Sequence, residues 1–517
     1  MSMVKNAAGR EVINLLNGEK ATPYMGLGKY KAEGKKHAPD IASCSDYPSD
    51  GNKLVQDLRS ALEGCGLQDG MTISTHHHFR DGDFLANMVF DIAKEMGVKG
   101  LRWFPSASFP CHEHLIKYLE DGTIQRIEGS MNGPLGKFVS EGGMEGTGVL
   151  RSHGGRYQAV QDGEVKIDIA VIGVPTADSF GNGNALSGDS ACGLLGFALA
   201  DSQYAAKVIV ATDNLVKFPC IPWQIQGNHV DFVVEVERLG DPSKIISGTT
   251  MITRSPDRLL LAELTARFCE AAGIIQDGFS FQSGAGGTSL AVGEYFREIM
   301  LRKNIRARFA RGGSNKYLVS MLEEGLIEYI LDGQTFDLEG VKSMAENPAH
   351  VWTSPFTSYN YHGKGNFAQF VDVVFLGATE VDLNFNANVV THSDGYLLHG
   401  IGGWQNCLFS KTVILPVPLF RDRVPVVRDE VTTLCGPGEL IDVIVTERGI
   451  AINPLRKDLI ELTRNSGLPI KPIEVLKAEA DRICGVPEPI RVSDRVVAAI
   501  KWVDGTVIDV VRQLTLI

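Results

Sequence analysis

The sequence predicts an α/β protein made of two duplicated halves, each an open, mainly parallel sheet with helices on both faces. Three observations predict it. The first is an internal repeat. Ile167–Ala185 (IDIAVIGVPTADSFGNGNA) reads onto Val371–Val389 (VDVVFLGATEVDLNFNANV). Asp168 falls on Asp372, Gly173 on Gly377, Asp178 on Asp382, Asn182 on Asn386 and Asn184 on Asn388, always 204 residues apart. Self-similarity at one fixed offset marks a duplicated unit. The second is the short, β-branched character of the apolar runs Ile167–Val174 and Val371–Leu376, which suits strands buried on both faces. The third is alternation: Phe84–Trp103 and Leu290–Phe309 each read as a helix followed by a strand, the pattern of parallel sheets.

Weaker echoes extend the repeat. Lys207 and Lys411 keep the same offset and each precedes an apolar strand; YLEDGTI (118–124) resembles MLEEGLI (321–327), and DFVVE (231–235) resembles DVIVT (442–446). Residues 1–55 are expected to form an N-terminal extension. The first half then spans 56–255 and the second 256–517, with the boundary near Ser255–Pro256.

Bulk properties narrow the function classes. A chain of 517 residues exceeds one hydrophobic core. The net charge of -12, with no dense Lys/Arg run, argues against a nucleic-acid partner. The nine cysteines are scattered, without a CxxC pair, as expected of reduced thiols in the cytoplasm. No apolar run reaches the ~18 residues of a membrane helix, and Met1–Lys20 lacks the apolar segment of a signal peptide.

Open parallel sheets bind ligands beyond the carboxyl ends of their strands, so loops that follow buried strands are the first place to look. SGAGGTS (283–289) joins a strand to a helix; Gly284, Gly286 and Gly287 let the backbone approach a ligand, and helix-start amides favour an anion, although a tight turn alone also accounts for them. STHHHFR (74–80) occupies the matching loop of the first half. Adjacent histidines do not share a face as metal ligands do, so an anion-binding loop with His76, His77 and Arg80 is the better reading than a metal site, with a merely solvated loop as the alternative. Cys111-His112-Glu113-His114 lacks a second ligand pair, and no metal is expected there. Arg311-Gly312-Gly313-Ser314-Asn315-Lys316 ends a strand with groups suited to a carboxylate or phosphate, or forms an exposed turn. GIGGWQ (400–405) carries Gly402, Gly403 and the amide of Gln405, again at a strand–loop junction. Glu380 and Glu447 stand at strand ends, either as bases or as ion-pair partners of arginines.

FQSGAGGTSLAV (281–292), FLGATEVDLNFN (375–386), HGIGGWQNCLFSK (399–411) and VIVTERGIAINPLR (443–456), together with VIGVPTADSFGN (171–182) and KVIVATDNLVKFP (207–219), resemble the coenzyme A transferase superfamily in the same order. The resemblance covers the chain beyond about residue 60. It implies two domains of the coenzyme A transferase type. STHHHFRDGD (74–83) and GGSNKY (312–317) are most similar to the citrate lyase α-subunit branch. That resemblance implies acetyl-for-citryl exchange on a thioester. Acyl-coenzyme A, or the similar prosthetic group of a carrier protein, serves as cosubstrate and no cofactor is held covalently. Citrate, a carrier-protein subunit, a citryl-thioester lyase subunit and a second copy of the chain are the implied partners.

The resemblance also distributes roles. Gly284, Gly286, Gly287 and Arg311 are the catalytic candidates. His76, His77, Arg80, Gly312, Gly313, Ser314, Glu380 and Asn384 are expected at the substrate, and Gly402, Gly403 and Gln405 at the coenzyme A or carrier arm. One departure matters. Typical superfamily members place a covalent glutamate after the strand that here is Ala307–Ala310, and this chain has Arg311-Gly312-Gly313 instead. A bound citrate carboxylate is then the expected nucleophile. The alternatives are a conventional transferase or acyl-thioester hydrolase using a carboxylate such as Glu380 covalently, and a ligand-sensing regulator on the same fold. Residues 1–55 show no helix-turn-helix pattern or basic charge to favour the regulator.

Overall fold

A computed structural model describes residues 3–30, 47–246, 250–284 and 286–515. Parts of several expectations lie outside the described residues: Cys44 with the segment 31–46 of the N-terminal extension, residues 247–249 of the turn between halves, and Ala285 of the glycine-rich loop.

Seven strands form the first sheet: β1 (Leu54–Val55), β2 (Thr72–Thr75), β3 (Leu101–Pro105), β4 (Ile124–Ile127), β5 (Ile169–Gly173), β6 (Lys207–Thr212) and β7 (Phe232–Glu235), in the order β1-β7-β6-β5-β2-β3-β4, all neighbours parallel. Eight strands form the second: β8 (Ser280–Ser283), β9 (Ala307–Ser314), β10 (Ile327–Thr335), β11 (His350–Trp352), β12 (Val373–Phe375), β13 (Val413–Pro416), β14 (Val443–Thr446) and β15 (Gly449–Ile452). Their order is β11-β10-β9-β8-β12-β13-β14-β15, and only β15 runs antiparallel to its neighbour. Deleting β1, β11 and β15 leaves one shared order, β4-β3-β2-β5-β6-β7 in the first sheet and β10-β9-β8-β12-β13-β14 in the second. The repeat is thus a repeat of topology.

The repeated residues show why. Asp168 accepts the Thr72 amide across the sheet at 2.8 Å, and Asp372 accepts that of Ser280 at the same distance. After β5 and β12 the chain makes a small three-stranded sheet in each half: Thr176–Asp178, Gly183–Asn184 and Leu215–Val216, against Glu380–Asp382, Ala387–Asn388 and Val427–Arg428. An aspartate clamps each turn. Asp178 accepts the amides of Phe180, Gly181, Asn182 and Cys220 and the Asn182 side chain. Asp382 accepts the amides of Asn384 and Asn386 and the Asn386 side chain. Each asparagine passes the bond on, Asn182 to the Gly227 amide and Asn386 to that of Gly438.

Helices follow the expected stripes. In Leu85–Glu95 the buried residues Leu85, Ala86, Val89, Phe90 and Ala93 lie on one face. Gly287–Lys303 stops where Asn304 turns left-handed, at φ 53°. The strands of the second sheet are buried on both sides. Val373, Phe375, Ile414, Val443 and Val445 pack into a core with the helices Pro256–Ala271 and Gly287–Lys303. The alternate residues Val374, Leu376, Val413, Leu415 and Ile444 enter a second core that is continuous with that of the first half.

The chain ends tie the halves further. Val492–Lys501 and Val507–Leu514 form a hairpin, and the first of these strands pairs in parallel with Gly148–Leu150 of the first half. The N-terminal residues Val12, Ile13, Leu16 and Ala21 pack on that hairpin through Val496, Ala499, Val507 and Val510. Among the described residues no helix is long and apolar enough to cross a membrane.

The aspartate clamps give a stability prediction. A buried amide left without its acceptor costs about 1–3 kcal/mol. Asp178→Ala and Asp382→Ala should each destabilise by about 2–4 kcal/mol in urea unfolding, with Asp178→Ala the worse because it strands more donors. Wild-type stability in both variants would show that the clamps do not hold the turns.

Candidate functional site

The carboxyl ends of the two sheets face a common cleft of 470 Å³. The first half supplies His77 and Arg80 after β2, Ser106 and Ala107 after β3, Ser130 and Asn132 after β4, and Arg151 and His153. The second half supplies Gln334 and Phe336 at the end of β10 and His399–Gly402. Lys244 and Thr250, from the connection between halves, close one side.

The three consecutive histidines diverge. His76 is buried, with Nε2 2.9 Å from Asp201, which also receives a two-pronged contact from Arg156 at 2.8 and 2.7 Å. Burial alone would raise the Asp201 pKa; Arg156 and His76 override it and hold the carboxyl well below the usual range. His78 is buried too, with Nε2 2.8 Å from the Gly173 carbonyl, and burial pushes its pKa down to about 4. Only His77 opens on the cleft. Its Nδ1 lies 2.6 Å from Ser106 Oγ, which also accepts the His77 backbone N–H at 3.0 Å. Its ring stacks on His153 with centroids 5.6 Å apart. Burial, followed by the neighbouring His153, holds the His77 pKa well below the imidazole range.

Arg80 crosses between halves. Its backbone takes a positive φ of 51°, and its guanidinium donates to the Thr335 carbonyl at 2.6 Å and lies 4.4 Å over the Phe336 ring. Burial lowers its pKa to about 10, so it remains a cation at neutral pH. The Arg311-Gly312-Gly313-Ser314 segment supports this arrangement from behind. Gly312 has φ 104°, the strand bulges between Gly312 and Gly313, and a Cβ on Gly313 would stand 1.6 Å from the Phe336 ring. Ser314 donates through its amide and hydroxyl to the buried Asp332. Glycine at 313 therefore seats Phe336, and Phe336 seats Arg80.

Arg311 itself lies one layer beneath the cleft. It is 1 % exposed, donates through Nη1 to Gln282 at 2.7 Å and stacks 4.9 Å under Tyr359. Tyr359 in turn packs against His153 and Gly403. Nε and Nη2 of Arg311 find no acceptor among the described residues, and no carboxylate there pairs with it. Glu380 is committed elsewhere: it is fully buried, contacts Arg428, and accepts the Thr432 amide at 2.7 Å and Asn388 at 3.0 Å. Asn384 sits in the Asp382 turn. Gly402 lines the cleft and Gly403 caps Trp404–Cys407, while Gln405 is buried and donates to the Cys435 carbonyl. Gly286 caps Gly287–Lys303, and the Gly287 carbonyl accepts the Thr253 amide; Gly284, Gly286 and Gly287 are not among the cleft residues.

Of the predicted residues the cleft thus brings together His77, Arg80 and Gly402. It adds Ser106, Arg151, His153 and Lys244, which no motif marked, and His399, the first residue of the HGIGGWQNCLFSK stretch, to which no role was given. Arg151 is held between Glu128 and Glu164 at 2.8 and 2.7 Å. Asp81 is the one carboxylate among the described cleft residues, accepting the Cys111 amide. His112 and His114 turn to different carboxylates, Asp83 and Asp91, and among the described residues no group of three or more metal-ligating side chains gathers.

Two sheets of one topology, facing each other across a cation- and imidazole-lined cleft, define a protein of the coenzyme A transferase fold. The α subunit of malonate decarboxylase from Acinetobacter baumannii shares that fold, with a TM-score of 0.61 at 16% identity over 85% of this chain and 89% of that one. The sequence model of "Citrate lyase, alpha subunit (CitF)" matches residues 51–514, and the chain belongs to that family. It is 41% identical to the citrate lyase alpha chain of Klebsiella pneumoniae over 507 residues, 98% of this chain and 99% of that one. It is also 41% identical to that of Escherichia coli K12, over 89% and 91%. A structure described as the putative alpha subunit of citrate lyase in complex with citrate, from Streptococcus mutans, superposes with a TM-score of 0.93 at 39% identity, covering 99% of this chain and all of that one. The chain is an enzyme of the coenzyme A and acyl-carrier-protein transferase class.

Arg311 yields a prediction of its own. A buried charge without a counter-ion carries a desolvation cost that an apolar side chain of similar length does not. Arg311→Met should therefore raise the thermal midpoint. A lower midpoint would show instead that the guanidinium holds the fold.

Proposed function

We propose that the enzyme exchanges acyl groups on a thioester in the cleft between its halves. Acetyl-carrier protein, or acetyl-coenzyme A, reacts with citrate to give the citryl thioester and acetate. This is the first step of citrate cleavage to acetate and oxaloacetate. The observation that carries the reading is the cleft itself: Arg80, Arg151 and Lys244 surround a space large enough for a tricarboxylate and a thioester end. The Streptococcus mutans relative described in complex with citrate supports the same acid here.

In this reading a citrate carboxylate attacks the acetyl carbonyl, giving a mixed anhydride and a thiolate. The thiolate then attacks the citryl carbonyl and acetate leaves. Arg80 grips a carboxylate of citrate with two hydrogen bonds, which a guanidinium offers and an ammonium does not. Gly402 and Gly403 border the path of the pantetheine arm. Arg311 stands behind Tyr359 as a reserve of positive charge, and Gly286 and Gly287 stand at a helix start on the second half. A covalent glutamyl route finds no support in the cleft, where no glutamate lies among the described residues. The family further supports a homodimer working in the cytoplasm with a carrier-protein subunit and a citryl-thioester lyase subunit.

Purified protein incubated with acetyl-coenzyme A and citrate should release acetate and form the citryl thioester, with no glutamyl adduct trapped by borohydride. Absence of acetate above background would overturn the reading. Arg80→Ala should raise the citrate KM or lower kcat at least tenfold, and Arg80→Lys should recover only part. Unchanged citrate kinetics would remove Arg80 from the substrate.

A further inference from the structure

The exchange proposed above transfers no net proton. One carboxylate is consumed as nucleophile and one is released as acetate, and the sulfur leaves and returns as thiolate. Each tetrahedral adduct nevertheless puts a full negative charge on a carbonyl oxygen. Such a site needs a hydrogen-bond donor that does not surrender its proton and does not titrate in the working range.

Three features of the cleft meet that need. His77 follows β2 and borders the cleft with its ring stacked on His153 at 28° and tilted against Phe197, centroids 5.7 Å apart. Ser106 Oγ already accepts the His77 backbone N–H, and its single hydroxyl proton has one acceptor among the described residues, His77 Nδ1 at 2.6 Å. When Ser106 donates to Nδ1, the proton of the neutral imidazole sits on Nε2, which has no protein partner among the described residues. Finally, His153 lies against the backbone of Gly402 and Gly403, where added Cβ atoms would meet its ring nitrogens at 4.0 and 3.8 Å, and its amide donates to the Gly402 carbonyl at 2.7 Å. Gly402 leaves open space beside the His153 ring, while the space at Gly403 is taken by Tyr359.

Resting on the acyl-exchange reading, we infer that His77 is a catalytic residue that donates Nε2–H to the oxyanion as a neutral imidazole, with Ser106 as the positioning residue that fixes its tautomer. In the first step the citrate oxygen bonds to the acetyl carbon and the carbonyl π pair moves onto oxygen, where Nε2–H meets it. The pair then returns and the C–S bond breaks, releasing thiolate. In the second step the thiolate bonds to the citryl carbon, a second oxyanion forms at the same donor, and the C–O bond to acetate breaks. His77 keeps its proton throughout.

The charges around the ring favour neutrality. His76, His78 and Arg80 flank it along the chain, and His153 faces it from the helix His153–Gln161, whose Arg156 stands behind. Arg151, Lys244 and His399 line the remaining walls, and Asp81 is the lone acid among the described cleft residues. Burial first, then Arg156, lowers the His153 pKa to about 3, and burial also lowers that of His399. A positive His77 would face the cations of Arg80 and Lys244 beside neutral imidazoles, while Arg151 and Arg156 are balanced by Glu128, Glu164 and Asp201.

The test uses the full-length enzyme with acetyl-coenzyme A and citrate, comparing His77→Leu, His77→Gln and Ser106→Ala. His77→Leu should lower kcat about 100-fold or more, the usual effect of removing one oxyanion donor, with the citrate KM moving less than about threefold. Glutamine carries an amide N–H near the place of Nε2, so His77→Gln should recover about tenfold of that loss. It should also keep the wild-type shape of kcat against pH between about 5.5 and 8.5, since the titration of citrate is common to both. Ser106→Ala should cost about tenfold by freeing the tautomer. Full activity in His77→Leu would overturn the inference. So would a His77→Gln enzyme as impaired as His77→Leu whose pH profile has lost an imidazole titration present in the wild type. Independently of turnover, the 15N resonances of His77, assigned by their loss in His77→Gln, should show a neutral imidazole with Nε2–H at pH 6; an imidazolium or an Nδ1–H tautomer there would refute it even if His77→Leu fails to fold. A wild-type protein that releases no acetate would sink the exchange reading while leaving this tautomer measurement to decide on His77.

Discussion

The inner face of the second sheet has no solvent side, and the rest of the molecule follows from that. Val374, Val413, Leu415 and Ile444 point into the same apolar core as the first half, while their chain neighbours point into the core under Pro256–Ala271 and Gly287–Lys303. Each such side chain contributes about 1.5–3 kcal/mol when fully buried. Pulling the halves apart would expose a row of them together. The mutual orientation of the sheets is therefore fixed by the hydrophobic effect, before any polar contact is counted. The hairpin formed by Val492–Lys501 and Val507–Leu514 adds to this by pairing the end of the chain with a strand of the first half.

With the orientation fixed, the loops beyond the carboxyl ends of both sheets have to meet, and polar groups can be placed across the gap. Arg80 shows how far the placement reaches. Its position depends on Phe336, the ring of Phe336 depends on the missing Cβ of Gly313, and Gly313 depends on a strand bulge that Ser314 and Asp332 hold. On the other side, Asp201 and Arg156 immobilise His76 in a buried network, so the chain leaves β2 in one direction only and His77 alone opens on the cleft. Breaking one member of such a buried pair is expensive, because the partner is left charged and dry. The networks beneath the site thus convert stability into geometry.

Much of this was legible in the sequence. The duplication showed because Asp168, Asp178 and Asn182 do work that cannot be shared out differently: they satisfy amides at fixed places in a parallel fold, so Asp372, Asp382 and Asn386 recur at the same offset. Arg80 and His77 were legible as polar residues directly after a buried strand. Ser106, His153 and Lys244 were not, because each is a single residue on a different segment and only the docking of the halves brings them together. Glu380 carried the opposite difficulty. A carboxylate at a strand end has the same appearance in sequence whether it meets a ligand or an arginine, and its partner Arg428 lies 48 positions away on another strand. Gly312 and Gly313 were singled out for approach to a ligand, and the structure shows Gly313 giving its space to a neighbouring ring.

Arg311 stands after Ala307–Ala310, where the coenzyme A transferase resemblance implies a carboxylate, and it bears on the charge beneath the cleft. An enzyme glutamate as nucleophile needs an acyl donor brought close to a negative charge, and the site around it must tolerate that charge alone. When a polyanionic substrate brings its own nucleophile, a fixed carboxylate becomes a source of repulsion at short range, where water no longer screens it. Cations and imidazoles outnumber acids around the cleft, and the guanidinium of Arg311 waits one layer down beneath Tyr359 without an anion of its own. An unpaired buried cation is costly, and a fold keeps such a group where a ligand anion repays the cost. The cleft lining and the arginine beneath it thus share one electrostatic character: positive and imidazole groups gathered where both sheets end, with Asp81 the one acid among the described lining residues.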